Sequence, residues 1–376
     1  MRITDLELVP VRVTREMGLR GPSDPEKAVS ECLLVFLHSD AGVTGLGEMS
    51  DVGFAIDPAT RGALRTRLME HLSGRDPFEL AAIQRDLNLL EWEHQVLCGI
   101  DIALHDLLAR ALDIPLYQFL GGKLRDRIPF AYPLACCRLP ADVDANLGRI
   151  ARLQEAGHRA IRYYFGQDLD LDERFLGGMR NRWGDEVELV ALDASGRFEP
   201  DQAVAAIHRF APYGPGLVES PIAGRHHAPA AQFDAVRGQV DVAIGEHIAD
   251  AATAASLHAS VDVFNVGVGY AGITACRKIF AMAEVLGVKA LAGSTVELSV
   301  GTAARAHVIA ATPNIAFPCY PSGPLIYQDQ VVVQRVCYEA GHILVPDGPG
   351  LGVEVDQERL RQQPLAIDLR TLLAVL

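Results

Sequence analysis

No run of about 18 or more uninterrupted apolar residues occurs in the chain, so no segment has the length and composition of a membrane-spanning helix. Paired CxxC motifs are also missing, and the cysteines number seven, an odd count that includes the neighbours Cys136 and Cys137. Neither a zinc ribbon nor a disulfide framework is indicated, and reduced thiols in the core are expected. Positive charge is in short supply. Lys and Arg total 34 against 48 Asp and Glu, a formal net charge of −14. Phosphate-tracking proteins need clustered Lys and Arg, so nucleic acid is not an expected partner, and neither is a membrane. The N-terminal MRITDLELVPVRV lacks the basic start and apolar stretch of a signal peptide, and a cytoplasmic location is the expectation. Low-complexity segments and solvated linkers are missing as well.

What is present is a large core. Hydrophobic residues make up 49% and charged residues 22% of 376 positions, the balance of a soluble globular protein. That length fits a barrel of about 200–250 residues plus one smaller domain.

The first 50 residues read as a meander: Ile3–Val13, Glu31–His38 and the glycine-punctuated Gly42–Glu48 are three strand segments. Residues 60–120 switch to helical periodicity. In Gly99–Leu112 apolar residues recur at three and four, with charges on the other face, until Pro115 and Gly121-Gly122 stop the pattern. Strands followed by helices suggest an α+β domain over residues 1–125. From about residue 129 apolar runs alternate with amphipathic helices: Ile128–Ala135, Ala160–Phe165, Glu188–Leu192, Gly216–Glu219, Val240–Gly245, Val261–Val268 and Val288–Ala292. Near-continuous apolar strands, each followed by a helix, mark a parallel sheet covered on both faces. With an eighth, less regular strand near residue 315, the α/β expectation is a (β/α)-barrel over residues 126–344.

Three acids stand at the ends of three consecutive barrel strands: Asp193 in VELVALDAS, Glu219 in PGLVESP and Glu246 in VAIGEHI. Their spacings of 26 and 27 residues are each close to one βα unit. Such strand ends are neighbours on the C-terminal rim, where barrel enzymes keep their active sites. Three converging carboxylates repel one another unless a cation lies between them, and hard oxygen donors suit Mg²⁺ or Mn²⁺. The bland alternative is three separate salt-bridged acids.

With these three acids and the order of the motifs around them, the whole chain resembles the enolase superfamily in its mandelate racemase/muconate lactonizing branch. Gly42–Glu48 resembles the glycine-rich strand of that family's capping domain. Gly99-Ile-Asp-Ile-Ala-Leu-His-Asp106 and Pro115-Leu-Tyr-Gln-Phe-Leu-Gly-Gly122 resemble the helix and turn that lead into the barrel. Gly293-Ser-Thr-Val-Glu-Leu-Ser-Val-Gly-Thr-Ala-Ala304 resembles the seventh-strand segment of the lactonizing and dipeptide epimerase groups, and Pro346-Asp-Gly-Pro-Gly-Leu-Gly-Val-Glu354 the late glycine-proline turn. The resemblance implies that Asp193, Glu219 and Glu246 are metal ligands. It also implies that the metal grips a substrate carboxylate and stabilises the enediolate left when the α-proton is removed. By the same analogy residues 345–376 return to the capping domain, whose loops Glu16–Asp24 and Asp51–Asp57 choose the substrate, with Arg20 as the carboxylate-pairing candidate. A homo-oligomer is expected.

The chain departs from the family at its bases. Where the branch carries Lys-x-Lys on the second barrel strand, this sequence has Arg162-Tyr163-Tyr164. The sixth-strand lysine position falls on Val266 or Gly267, neither of which titrates, and the racemase-type Asp/His pair has no counterpart. A phenol beside a guanidinium and a divalent cation is favoured as phenolate, so Tyr164 supported by Arg162 is a candidate base; a pocket-lining, hydrogen-bonding Tyr164 is the alternative. Arg162 itself stays protonated. His247, next to Glu246, suits acid/base work, although alternation points it away from the ligand side. Glu297 is expected to steady a substrate carboxylate, His226-His227 to sit on the rim, and Ser195 to stand behind the ligands where the family often has Asn. Loss of bases on one face disfavours racemisation, whereas elimination runs with one base and one acid on the same side. The leading expectation is a metal-dependent dehydratase of a small hydroxy- or amino-carboxylate. A racemase, epimerase or cycloisomerase, and a protein that binds metal and carboxylate without turnover, are the alternatives.

Overall fold

The computed structural model describes residues 1–15, 29–53, 57–224, 228–327 and 331–362. Arg20, the Glu16–Asp24 loop and His226-His227 lie outside the described residues, as does part of Asp51–Asp57. The N-terminal meander forms as expected: β1 (Ile3–Thr14), β2 (Val29–Ser39) and β3 (Thr44–Met49) pair antiparallel in that order. Glycines in β3 are there because a helix lies against them. A β-carbon at Gly45 would meet the Ala103 carbonyl at 2.2 Å, and one at Gly47 the Gly99 carbonyl at 2.2 Å. The helix is His94–Ala111, and the expectation of a charged outer face for it is corrected: Asp101, His105 and Asp106 are all buried. Each has a structural use. Asp101 accepts bonds from Gln84, from Thr274 N–H and from its hydroxyl, and Asp106 accepts from Leu46 N–H and Leu351 N–H. Through Leu351, and through the Leu116 N–H bond to the Gly350 carbonyl at 2.7 Å, the late glycine-proline turn is tied to this N-terminal unit.

The run Ile128–Ala135 breaks into β4 (Arg127–Pro129) and β5 (Tyr132–Leu134). Six strands follow β5: β6 (Ala160–Tyr164), β7 (Glu188–Asp193), β8 (Leu217–Glu219), β9 (Ala243–His247), β10 (Val263–Val266) and β11 (Lys289–Ala292). β5 to β11 form one parallel sheet in chain order. The two edges are joined by the segment 315–320 through single bridges, Ala290 to Ile315 and Phe130 to Cys319. Its backbone bonds, Ala316 N–H to Ala290, Tyr320 N–H to Ala292 and Ala131 N–H to Cys319, run to both edges. The barrel is closed by an eighth strand too irregular to make a ladder, a modified (β/α)-barrel. Ala191, Leu217, Val263 and Leu291, from β7, β8, β10 and β11, pack together in its interior. β12 (Tyr338–Glu339) and β13 (His342–Leu344) pair back onto β4. Six of the seven cysteines are buried and all are free. No helix among the described residues is long and apolar enough to cross a membrane.

Candidate active site

Parallel pairing sets the site's geometry before any side chain is considered. Tyr164 on β6 is in register with Asp193 on β7, Asp193 with Glu219 on β8, and Glu219 with Gly245 on β9, one residue before Glu246. Neighbouring strands lie about 4.8 Å apart, so these side chains share one rim. Asp193, Glu219 and Glu246 are all buried.

Arg162, two residues before Tyr164 and on the same face of β6, reaches across that rim. Its Nε donates to Glu219 Oε2 at 2.6 Å, one Nη donates to Asp193 Oδ2, and the other donates to the Tyr164 hydroxyl at 2.6 Å. The guanidinium also lies over two aromatic rings, 4.5 Å from the centroid of Tyr164 and 4.7 Å from that of Tyr320. Burial works against its charge, but the carboxylates of Asp193 and Glu219 more than offset this and hold it protonated well above its usual range. Arg162, Asp193 and Glu219 are thus in direct contact, and Tyr164 joins them.

Glu246 is set beside them by a different network. Its Oε1 accepts from the Ser220 hydroxyl at 2.7 Å and from His247 N–H at 2.6 Å. Its Oε2 is buried with no hydrogen-bond partner. His247 does not point into solvent: Nδ1 lies 2.9 Å from the Ser220 hydroxyl and Nε2 3.2 Å from Asn265 Nδ2. Asn265 in turn donates to Glu219 Oε1 at 2.8 Å. Ser195 donates through both its N–H and its hydroxyl to Asp193 Oδ1, at 2.6 and 3.1 Å, standing behind that carboxylate as expected. Ser195 and Ser220 hold φ of 53° and 43°, left-handed values that turn the chain sharply off β7 and β8 just where the acids stand.

Sequence reasoning missed Ser220, Asn265 and Tyr320. A polar Asn inside the apolar run Val-Phe-Asn-Val was a readable signal, because a buried amide needs partners. Tyr320 gave none, since it ends the irregular eighth segment; its phenol is pushed well up, by burial first and by the charge of Glu219 next. Glu297, expected to steady a substrate carboxylate, is engaged within the protein. Glu297 is 1% exposed, ion-paired with the fully buried Arg305, and accepts from Thr295 N–H, the Thr295 hydroxyl and the Ser294 hydroxyl. Burial raises its carboxyl, but Arg305 and the Thr295 N–H pull it below the usual value, so both oxygens serve the fold.

Comparison with known proteins fixes the family. Residues 26–121 match the mandelate racemase / muconate lactonizing enzyme N-terminal domain, and residues 147–359 match the enolase C-terminal domain-like family. The chain belongs to the enolase superfamily. A chloromuconate cycloisomerase from Pseudomonas putida is 29% identical over 330 residues, 85% of this chain and 88% of that protein. Another from Pseudomonas sp. (strain P51) is 31% identical over 277 residues, 70% of this chain and 71% of its own. Among solved structures, 2-chloromuconate cycloisomerase from Rhodococcus opacus 1CP superposes with a TM-score of 0.86 at 24% identity, covering 96% of this chain and 99% of that one. The L-Ala-D/L-Glu epimerase from Bacillus subtilis gives 0.84 at 27% identity, covering 94% and 99%. The relatives are enzymes, and this enolase-superfamily chain is a lyase or isomerase of the same broad class.

The residues present fit a hard divalent ion in donor type and charge. Of three buried carboxylates two pair with one guanidinium, which leaves two formal negative charges over, and Glu246 Oε2 is an orphaned buried acceptor. As arranged, however, Arg162 lies across Asp193 and Glu219, and no three His, Cys, Asp or Glu side chains among the described residues are gathered to enclose an ion.

Proposed function

We propose that the chain is a dehydratase that removes the α-proton of a small hydroxy- or amino-carboxylate, with Asp193, Glu219 and Glu246 holding a Mg²⁺ or Mn²⁺ ion. The ion, when bound, supplies the positive charge that acidifies the proton next to the carboxylate. Residues 1–125 with the returning C-terminal segment are the cover of the barrel mouth. The observation that carries this reading is the 2.6 Å bond from Arg162 to the Tyr164 hydroxyl inside the carboxylate row. A guanidinium N–H given to that oxygen steadies a negative charge on it, which is what a phenol needs to act as a base. Tyr164 takes the α-proton and returns it to the departing β-hydroxyl on the same face, which leaves as water. Across the site the sixth-strand position falls on Val266 or Gly267, neither of which titrates to serve a second face. His247, buried against Ser220 and Asn265, is the next candidate for proton transfer.

The test is α-proton exchange in deuterated water across a library of acid sugars and amino acids, with Tyr164→Phe as control. A dehydrated product lost in Tyr164→Phe supports the reading. Exchange or ring closure without loss of water favours the second reading, a cycloisomerase or epimerase, to which the Pseudomonas putida cycloisomerase's 88% coverage lends weight. Silence across the library would leave a protein that binds carboxylates without turning them over.

A further inference from the structure

The carboxylate rim already contains a cation of its own. Arg162 takes up one oxygen of Asp193 and one of Glu219, while the second oxygen of Glu246 is buried and unpartnered. The other oxygens of the three acids are held by neutral donors: Ser195 on Asp193, Asn265 on Glu219, and Ser220 with His247 N–H on Glu246. If the guanidinium withdrew, one oxygen from each of three carboxylates would be left for another positive charge. Two of those three oxygens are the ones Arg162 now holds.

We propose that Arg162 is a built-in competitor of the divalent ion: its guanidinium pairs with Asp193 and Glu219 in the ion-free site, and an ion enters only as those two bonds are given up. The proposal rests on the assignment of the three acids as an ion site, but its test uses no substrate. Two features make Arg162 suited to this. The planar fork spans two carboxylates at once, and its faces are seated on the rings of Tyr164 and Tyr320, so the guanidinium has a fixed place rather than a floppy reach. Buried carboxylates that lose their counter-charge destabilise a fold severely, so a chain with its own cation stays folded without the ion, and one deprived of it leans on the ion instead.

The experiment measures Mn²⁺ affinity by titration calorimetry, and melting temperature in EDTA and in Mn²⁺, for the wild type, Arg162→Met and Arg162→Met/Glu246→Gln. The wild type gains less in melting temperature on going from EDTA to Mn²⁺ than Arg162→Met does. Arg162→Met melts lower in EDTA, recovers on adding Mn²⁺, and binds Mn²⁺ on the order of tenfold or more tightly than the wild type, since a like charge has been removed from beside the ion. The Glu246→Gln change in the same chain abolishes the recovery. If Arg162→Met does not fold even with Mn²⁺, Arg162→Lys is measured; it keeps the charge but loses the fork and also binds Mn²⁺ more tightly than the wild type. Affinity unchanged or weakened in the variant that folds would overturn the proposal, as would an Arg162→Met melting temperature in EDTA equal to the wild type's. Failure of the proton-exchange test with this pattern intact would count against the dehydratase reading alone.

Discussion

The ring of Tyr270 lies where a side chain on residue 267 would begin: a β-carbon added to Gly267 would sit 2.2 Å from Tyr270 Cε1. The tyrosine is fixed there by its hydroxyl, 2.9 Å from both the carbonyl and the side-chain oxygen of Asn265, which itself holds Glu219. Of the two positions, Val266 and Gly267, on which the family's sixth-strand lysine falls, the second has its side-chain space filled by this ring.

Gly267→Ala is accordingly expected to destabilise the protein by about 1–3 kcal/mol, the cost of overpacking a closed site. The backbone at Gly267 is extended, with φ of −131°, so the cost is steric and not conformational. Adding Tyr270→Ala in the same chain should remove the clash. Urea unfolding of the two single variants and the double variant gives the coupling, and strictly additive losses would show that the ring does not hold that space.

Much of this arrangement was legible because parallel strands buried on both faces leave continuous apolar runs, as in Ala160–Tyr164 and Glu188–Asp193, and because an acid closing such a run has few structural excuses. Pairing register then carries Tyr164, Asp193 and Glu219 into one row without further information. What was not legible depends on partners distant in the chain. The run at Ile128–Ala135 splits because β4 pairs with β13 while β5 pairs with β6. Asp101 and Asp106 look like an exposed helix face until Thr274 and Leu351 are brought against them. Glu297 reads as a rim acid until Arg305, two turns along, is found buried beside it.

Glu48, at the end of the glycine strand, joins the N-terminal sheet to the barrel by accepting from Leu298 N–H at 2.8 Å and Gly301 N–H at 2.7 Å. Burial pushes its carboxyl up from 4.5 to about 7, against the pull of those N–H groups. The folded state then binds the proton more tightly than the unfolded chain. Glu48 contributes stability that is fully present below pH 4.5 and lost as pH rises through about 7. Relative to Glu48→Gln, wild-type stability should fall by on the order of 3 kcal/mol between acid and mildly basic pH, at about 1.4 kcal/mol per unit. His307, which burial pushes down to about 4, gives the opposite slope in both proteins and cancels. Denaturant unfolding at several pH values checks this, and a difference that stays flat would sink it.

The Glu297–Arg305 pair makes a prediction of the opposite kind to a substrate contact. Glu297→Gln leaves a fully buried guanidinium uncompensated and should cost about 3–5 kcal/mol, while the double replacement Glu297→Met/Arg305→Met should cost much less. Thermal melts of the three proteins decide the matter. A Glu297→Gln protein of normal stability with a raised KM would instead support the substrate-binding role.

Tyr163 and Tyr164 are neighbours on β6 that face opposite ways and should fail differently. Tyr163 is fully buried and packs on Phe175 at 4.5 Å between centroids; its hydroxyl donates to Asp172 at 2.5 Å and accepts from Cys137 N–H at 3.1 Å. Burial pushes the Asp172 carboxyl up to about 6 even with the tyrosine's help, so that carboxylate depends on the bond. Tyr163→Phe removes both bonds inside a dry core and should cost about 1–3 kcal/mol of stability with kcat nearly unchanged. Tyr164 is only partly buried and its hydroxyl meets Arg162 within the carboxylate row, so Tyr164→Phe should melt close to the wild type while turnover falls by roughly 10²–10⁴, the usual worth of a general base. Melting curves and initial rates on the substrate found by proton exchange separate the two. A Tyr163→Phe protein with normal stability and a rate as low as that of Tyr164→Phe would mean that the reacting face of the strand has been assigned backwards.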